Sequence, residues 1–177
     1  MNPPVLSLPD LILLADSQGN WGFYEQELFK VFKKDFMDYH PKFEGKYVYY
    51  VTKPSLNGKP HTFWHMTTED KNYHPNGEDD RCQSMRKCER IGWVRPIIEN
   101  SQSNSQIKIW KEIINRGGKK HRTCIWFDGN TDSYLVVLDE TKKYFILWTA
   151  YPIEKQLQKD KLQKKFDTYI KTKTATK

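Results

Sequence analysis

Cysteine is scarce in this 177-residue chain: three residues, an odd number and too few for a disulfide scaffold. A reducing, cytoplasmic compartment is therefore the expectation. Long apolar runs are lacking too. The longest near the N-terminus, Leu11-Ile12-Leu13-Leu14-Ala15, falls far short of the ~20 residues that a bilayer requires. Met1-Asn2-Pro3-Pro4 lacks the positive region of a secretory signal, and Pro9-Asp10 cuts into the apolar stretch, so neither a membrane span nor a leader is expected. Arginine is missing from residues 1–80 and 123–177, and all six lie between Arg81 and Arg122.

What is abundant is aromatic. Six Trp, ten Tyr and nine Phe supply enough apolar area to offset chain entropy, which excludes disorder as the overall state. The length suits one domain, and no repeat or linker divides it. The expected organisation is an N-terminal arm over 1–20, a single α+β domain over 21–170 and a lysine-rich tail over 171–177.

The net charge of +7 is unevenly placed. Residues 1–80 carry −4, 81–122 carry +8, 123–150 carry −2 and 151–177 carry +5. The two basic segments differ in kind. Arginine presents a planar fork that grips phosphate bidentately, whereas lysine is a hydrated point charge. The C-terminal lysines read as a solvated, fraying tail, and the arginine block reads as the phosphate-binding candidate.

Periodicity predicts a helix over Tyr24–Phe36, with Tyr24, Leu28, Phe32 and Phe36 on one face. A β-branched and aromatic run, Lys46–Thr52, predicts a strand. Asn57-Gly58 predicts a tight hairpin turn into a partner strand over Pro60–Thr68. After a polar loop (Glu69–Asp80), Asp80 and Gln83 form a capping box for a helix through Arg86 and Arg90 to about Trp93, which Pro96 then ends. Another helix is expected over Ser105–Asn115, stopped by Gly117-Gly118. Three strands follow, His121–Phe127, Ser133–Leu138 and Tyr144–Tyr151, with turns too short for anything but antiparallel neighbours. A last helix covers Ile153–Tyr169. The expected fold is α+β: an antiparallel sheet of about five strands, ending in a β-meander, packed against several helices.

Strand alternation places His61, Phe63, His65 and Thr67 on one face, and Phe145, Leu147, Thr149 and Tyr151 on one face of the last strand. Arg86 and Arg90, four apart on a helix, share a face. Imidazole, guanidinium, hydroxyl and phenol around one cleft suit RNA cleavage by its own 2′-OH. That reaction needs a base, an acid and cationic donors to phosphorus, and no metal, because the nucleophile is in the substrate.

The string Arg90-Ile-Gly-Trp-Val-Arg95-Pro-Ile-Ile98, the Trp64-His65 pair before it, and the later strings Tyr134-Leu-Val-Val-Leu-Asp139 and Tyr144-Phe-Ile-Leu-Trp-Thr-Ala-Tyr-Pro152 resemble the prophage-borne branch of the barnase–EndoU–colicin–RelE superfamily. The resemblance covers about residues 44–153. It implies a metal-free ribonuclease toxin with an antiparallel sheet, acting on RNA and held by an antitoxin or immunity protein. Position by position it points to His65, Arg90, Thr149 and Tyr151 as catalytic, with Arg86, Arg95, Thr67 and Lys46 as substrate contacts. The branch often has an Arg-His pair where this chain has Glu89-Arg90, so the identity of the acid stays open. Whether the protein acts in its own cytoplasm or is delivered to a target cell stays open as well.

Each residue also has a plainer reading. His65 is a satisfied core histidine, Arg86 and Arg90 pair with Glu89, and Thr149 and Tyr151 are ordinary strand residues. His61 and His74 read as surface groups. Trp64, Trp93, Trp110, Trp126 and Trp148, one per element, read as core rather than as a stacking platform. Cys82 and Cys88 with His61 or His65 fit no zinc-knuckle spacing, and Cys82, Met85 and Cys88 read as the buried side of a helix. Two other functions are compatible with the same residues: a non-catalytic RNA- or DNA-binding module, and an accessory domain that meets only protein partners.

Overall fold

The computed structural model describes residues 6–70, 81–115 and 118–175, and of Asp70 and Arg81 the backbone alone. The expected Asp80 cap, the 71–80 loop with His74, and Arg116, Gly117 and Lys177 lie outside the described residues. The elements in chain order are α1 (Trp21–Phe32), β1 (Lys42–Phe43), β2 (Lys46–Tyr50), α2 (His61–Thr67), β3 (Thr68–Asp70), β4 (Arg81–Gln83), α3 (Met85–Glu89), α4 (Val94–Asn100), β5 (Ile107–Asn115), β6 (Lys119–Asp128), β7 (Ser133–Glu140), β8 (Phe145–Pro152) and α5 (Gln156–Ala175). The chain is α+β with a curled, mixed sheet of six strands in the order β1-β2-β8-β7-β6-β5.

The first helix forms where expected. Asn20 caps it by accepting from the Phe23 amide, and Tyr24, Leu28 and Phe32 face the core. A wide turn over Lys33–Met37 then continues it through buried Phe36. The strands β6, β7 and β8 also form where expected, each antiparallel to the next.

Three expectations need correction. Pro60–Thr68 is not a strand. The residues it buries are Thr62, Phe63, Met66 and Thr67, a helical rather than alternating set, and Pro60 precedes the first turn, where proline is tolerated. The Asn57-Gly58 turn does form, with left-handed φ at both residues and a bridge between Leu56 and Lys59, but it leads into α2. Ser105–Asn115 is not a helix. It holds β5, which pairs with β6 along its whole length. Ile107 and Ile109 face the main core, while Trp110 faces a second core under α5. Apolar residues on both faces of a strand imitate helical spacing. Finally, the basic helix begins at Met85 rather than Asp80, and Pro96 sits in the first turn of α4 instead of ending a helix.

The sheet is therefore not purely antiparallel. Removing Pro60–Thr68 from it leaves β2 to pair with β8, and that pairing is parallel, from Val48 with Phe145 to Tyr50 with Leu147. The sheet's inner face closes over α1, α2, α3 and α4 around Phe32, Phe63, Met66, Ile97, Val136 and Leu147. The arm joins this core. The Tyr24 hydroxyl donates to the Ile12 carbonyl at 2.7 Å, and the Trp93 indole donates to the Pro9 carbonyl at 2.8 Å. On the outer face α5 lays Leu162, Phe166 and Tyr169 over Trp110 and Trp126. The curl brings the sheet's two ends together: Lys111 of β5 lies 3.1 Å from Glu44, between β1 and β2, and 3.4 Å from Glu140.

Candidate functional site

The site begins where β2 leaves β8. Beyond Tyr50 the β8 edge has no strand partner among the described residues, and α2 takes the place. The Thr62 hydroxyl joins the three elements, accepting from the Val51 amide at 2.8 Å and donating to the Leu147 carbonyl at 3.3 Å. One helical turn on, His61 and His65 share a face, with ring centroids 4.3 Å apart. The His65 ring lies 5.7 Å from that of Trp148.

Trp148 is in this position because β8 carries a bulge. The register with β7 slips between Val137 and Leu138, so that Leu147 pairs with Leu138 and Thr149 with Val137. The extra residue moves everything after it to the other face. Phe145 and Leu147 point into the main core, whereas Tyr151 lies on the outer side. The single face expected for Phe145, Leu147, Thr149 and Tyr151 is thus broken, and Thr149 and Tyr151 join Trp148.

Two cations from β6 lie over the Trp148 ring, Arg122 at 5.3 Å and Lys120 at 5.5 Å from its centroid. Arg122 is also held by Asp139, directly across on β7, at 2.8 Å. Lys87 of α3 reaches in from the other side. It donates to the His65 carbonyl at 3.1 Å and lies 5.8 Å from the centre of the Tyr151 ring. Burial raises the Tyr151 phenol, and the nearby Cys124 and Glu112 add to this against the opposing pull of Arg122. The phenol therefore stays protonated at neutral pH and is a donor. Among the described residues, the Thr149 hydroxyl makes no hydrogen bond.

His65 thus lies beside Trp148 on the strand that also carries Thr149 and Tyr151, with Lys87 between His65 and Tyr151, and the other expected residues lie elsewhere. Arg90 is 6% exposed; it donates to Glu89 at 3.0 Å and to the Arg86 carbonyl at 3.3 Å, stands 3.6 Å from Asp132, and lies 5.1 Å from the centre of the Trp93 ring. It holds α3 to the β6–β7 turn. Arg86 is paired with Glu154. Arg95 lies 3.8 Å from the centre of the Tyr39 ring and bonds Glu99 and Asp35. Thr67 is buried and donates to the Phe63 carbonyl within its own helix. Lys46 pairs with Glu140 at the closure of the sheet.

Sequence reading included Arg122 only as one member of the basic block, did not single out Lys120, Trp148 or Lys87, and took His61 for a surface group. The four-residue spacing of His61 and His65 becomes a signal only once the segment is a helix. Trp93, Trp110 and Trp126 are core as expected, while Trp148 is half-exposed. Among the described residues no three His, Cys, Asp or Glu side chains are grouped to hold a metal ion, and no helix is long and apolar enough to cross a membrane.

The chain matches no family model, and comparison with curated proteins and with solved structures finds no match.

Proposed function

We propose that this protein is a metal-independent endoribonuclease that cleaves RNA by attack of the 2′-OH on the adjacent phosphorus. One observation carries the proposal: two imidazoles, His61 and His65, meet beside Trp148, where Arg122 and Lys120 converge. The reaction needs a group to take the 2′-OH proton and a group to protonate the departing 5′-oxygen, and two imidazoles offer a proton acceptor and a proton donor. Arg122 and Lys120 stabilise the charge that develops on the non-bridging oxygens. Tyr151 and Thr149 donate hydrogen bonds to the same phosphate. Arg122 takes the role that the resemblance would give to Arg90. The toxin assignment, and with it an antitoxin or immunity partner, is supported by that resemblance alone.

The test is incubation of purified protein with single-stranded RNA in EDTA, read by the appearance of 2′,3′-cyclic phosphate ends. Cleavage is expected to fall at least about 100-fold in His65→Ala and in His61→Ala, the loss typical of removing a general acid or base. Cleavage unchanged in both variants overturns the assignment.

A second reading has its own observation. The two histidine rings are 4.3 Å apart, a spacing that suits two donors to one phosphate, whereas an in-line displacement uses base and acid on opposite sides of phosphorus. This favours a non-catalytic RNA- or DNA-binding module. Binding that weakens steeply with salt, without cleavage, selects it.

A further inference from the structure

A row of exposed aromatic rings crosses the outer face of the sheet beside this site, beyond the part that α5 covers. Tyr47 and Tyr49 of β2 are 47% and 37% exposed, and Tyr144, at the start of β8, is 38% exposed. The Tyr49 ring centre lies 6.3 Å from that of Tyr47 and 5.3 Å from that of Tyr144. His40 packs on Tyr49 at 4.7 Å. The row continues along β8 through Ile146, which pairs with Tyr49, to the bulge at Trp148.

Single exposed tyrosines are ordinary, but neighbouring rings in a row form a patch that asks for a partner. Its charge says which kind. Lys42 stands 4.8 Å from the centre of Tyr47 at one end, and Lys120 and Arg122 flank Trp148 at the other. Asp139, the carboxylate beside the second pair, is already bonded to Arg122. Aromatic faces interleaved with cations match a chain of bases joined by phosphates, because every base offers a π-face and every linkage a negative charge. An A-form duplex keeps its base faces stacked inside and could offer the row only its backbone.

We propose that the Tyr47–Tyr49–Tyr144 row is a stacking track for unpaired RNA, leading the strand to Trp148 and the histidine pair. The inference rests on the nucleic-acid reading of that site and adds the substrate class: single-stranded RNA of several nucleotides, engaged on one side of the site.

The experiment uses the full chain carrying His65→Ala, so that RNA stays intact, and a fluorescent single-stranded 12-nucleotide RNA followed by anisotropy. Adding Tyr47→Ala, Tyr49→Ala or Tyr144→Ala is expected to weaken binding at least about fivefold per ring, while Tyr→Phe at the same positions, which keeps the stacking face, preserves it. A 3-nucleotide RNA, too short to span both regions, is expected to be indifferent to the Ala changes. The same sequence as a duplex is expected to compete poorly. Unchanged 12-mer affinity in the Ala variants, or equal binding of the duplex, overturns the track, as does a row whose loss abolishes only capture of a protein partner. The two proposals fail separately. RNA left uncut by the wild-type protein, with binding that still needs the tyrosines, removes the nuclease and keeps the track, and cleavage by wild-type protein with tyrosine-independent binding does the reverse.

Discussion

The Thr62 hydroxyl donates to the carbonyl of Leu147, 85 residues further along the chain, at 3.3 Å while accepting from the Val51 amide at 2.8 Å. One side chain thus ties the end of β2, the start of α2 and the middle of β8. Thr62→Val keeps the shape but strands a buried donor and a buried acceptor. It is expected to cost about 2 kcal/mol in chemical denaturation. Because His61 and His65 ride on the same helix, cleavage by the folded fraction is expected to fall as well, and restoration by Thr62→Ser would identify the hydroxyl as the cause.

The two arginines are expected to part company under substitution. Arg90 is buried with Glu89 and Asp132 around it, so Arg90→Ala leaves unpaired charge and is expected to lower stability by about 3 kcal/mol. The folded fraction that remains should cleave RNA normally. Arg122→Lys keeps a charge near Asp139 but loses the planar fork. It is expected to leave the melting temperature within a few degrees and to lower kcat/KM roughly tenfold or more. The reverse pattern would return the phosphate role to Arg90.

The thiols give a chemical probe of the fold. Burial pushes both Cys88 and Cys124 up to about 12, so each is fully protonated near neutral pH and unreactive. Cys82 is only half-buried. Titration with Ellman's reagent is expected to modify no more than one thiol in the native protein and all three in denaturant. Rapid native labelling of two or three would contradict the packing of α3 and β6.

Asp35 supplies a pH test with a definite sign. Burial raises its carboxyl above 3.8, and the attraction of Arg95 and Lys34 does not offset this. The folded state therefore holds this proton more tightly than the unfolded chain does. The group's contribution to stability is most favourable below the ordinary carboxylate value and declines as pH rises through the raised one. Asp35→Asn removes that decline, and Glu99 still holds Arg95. The expected result is a smaller loss of urea midpoint than in the parent as pH rises from below the ordinary carboxylate value to neutral. Identical pH dependence would show that Asp35 titrates normally.

Much of the architecture was legible where one periodicity stood alone. Tyr24, Leu28 and Phe32 announced α1, and the three strands from β6 to β8 followed from tight turns between apolar runs. The reading failed where two periods overlap. His61–Thr67 is short, aromatic and β-branched, and only its tertiary burial selects the helix. β5 is apolar on both faces because cores lie on both sides of it. The placement of the candidate residues was legible only in part for the same reason. His65, Thr149 and Tyr151 were singled out through strand alternation and the resemblance, whereas Arg122 and Trp148 take their places through a cross-strand neighbour and a bulge that no local pattern marks.

The bulge at Trp148 gives β8 a sensitivity to chain length rather than to residue type. The one residue between Leu147 and Thr149 is Trp148 itself, so removing it would restore plain alternation with Ala150 still in the main core and Tyr151 still on the outer side, and would take away the ring that His65, Arg122 and Lys120 meet. Substitutions along this strand therefore have graded effects. Deleting Trp148 would instead remove the bulge and its ring together while leaving both cores in register, so one residue carries both the extra length of this strand and the centre of the proposed site.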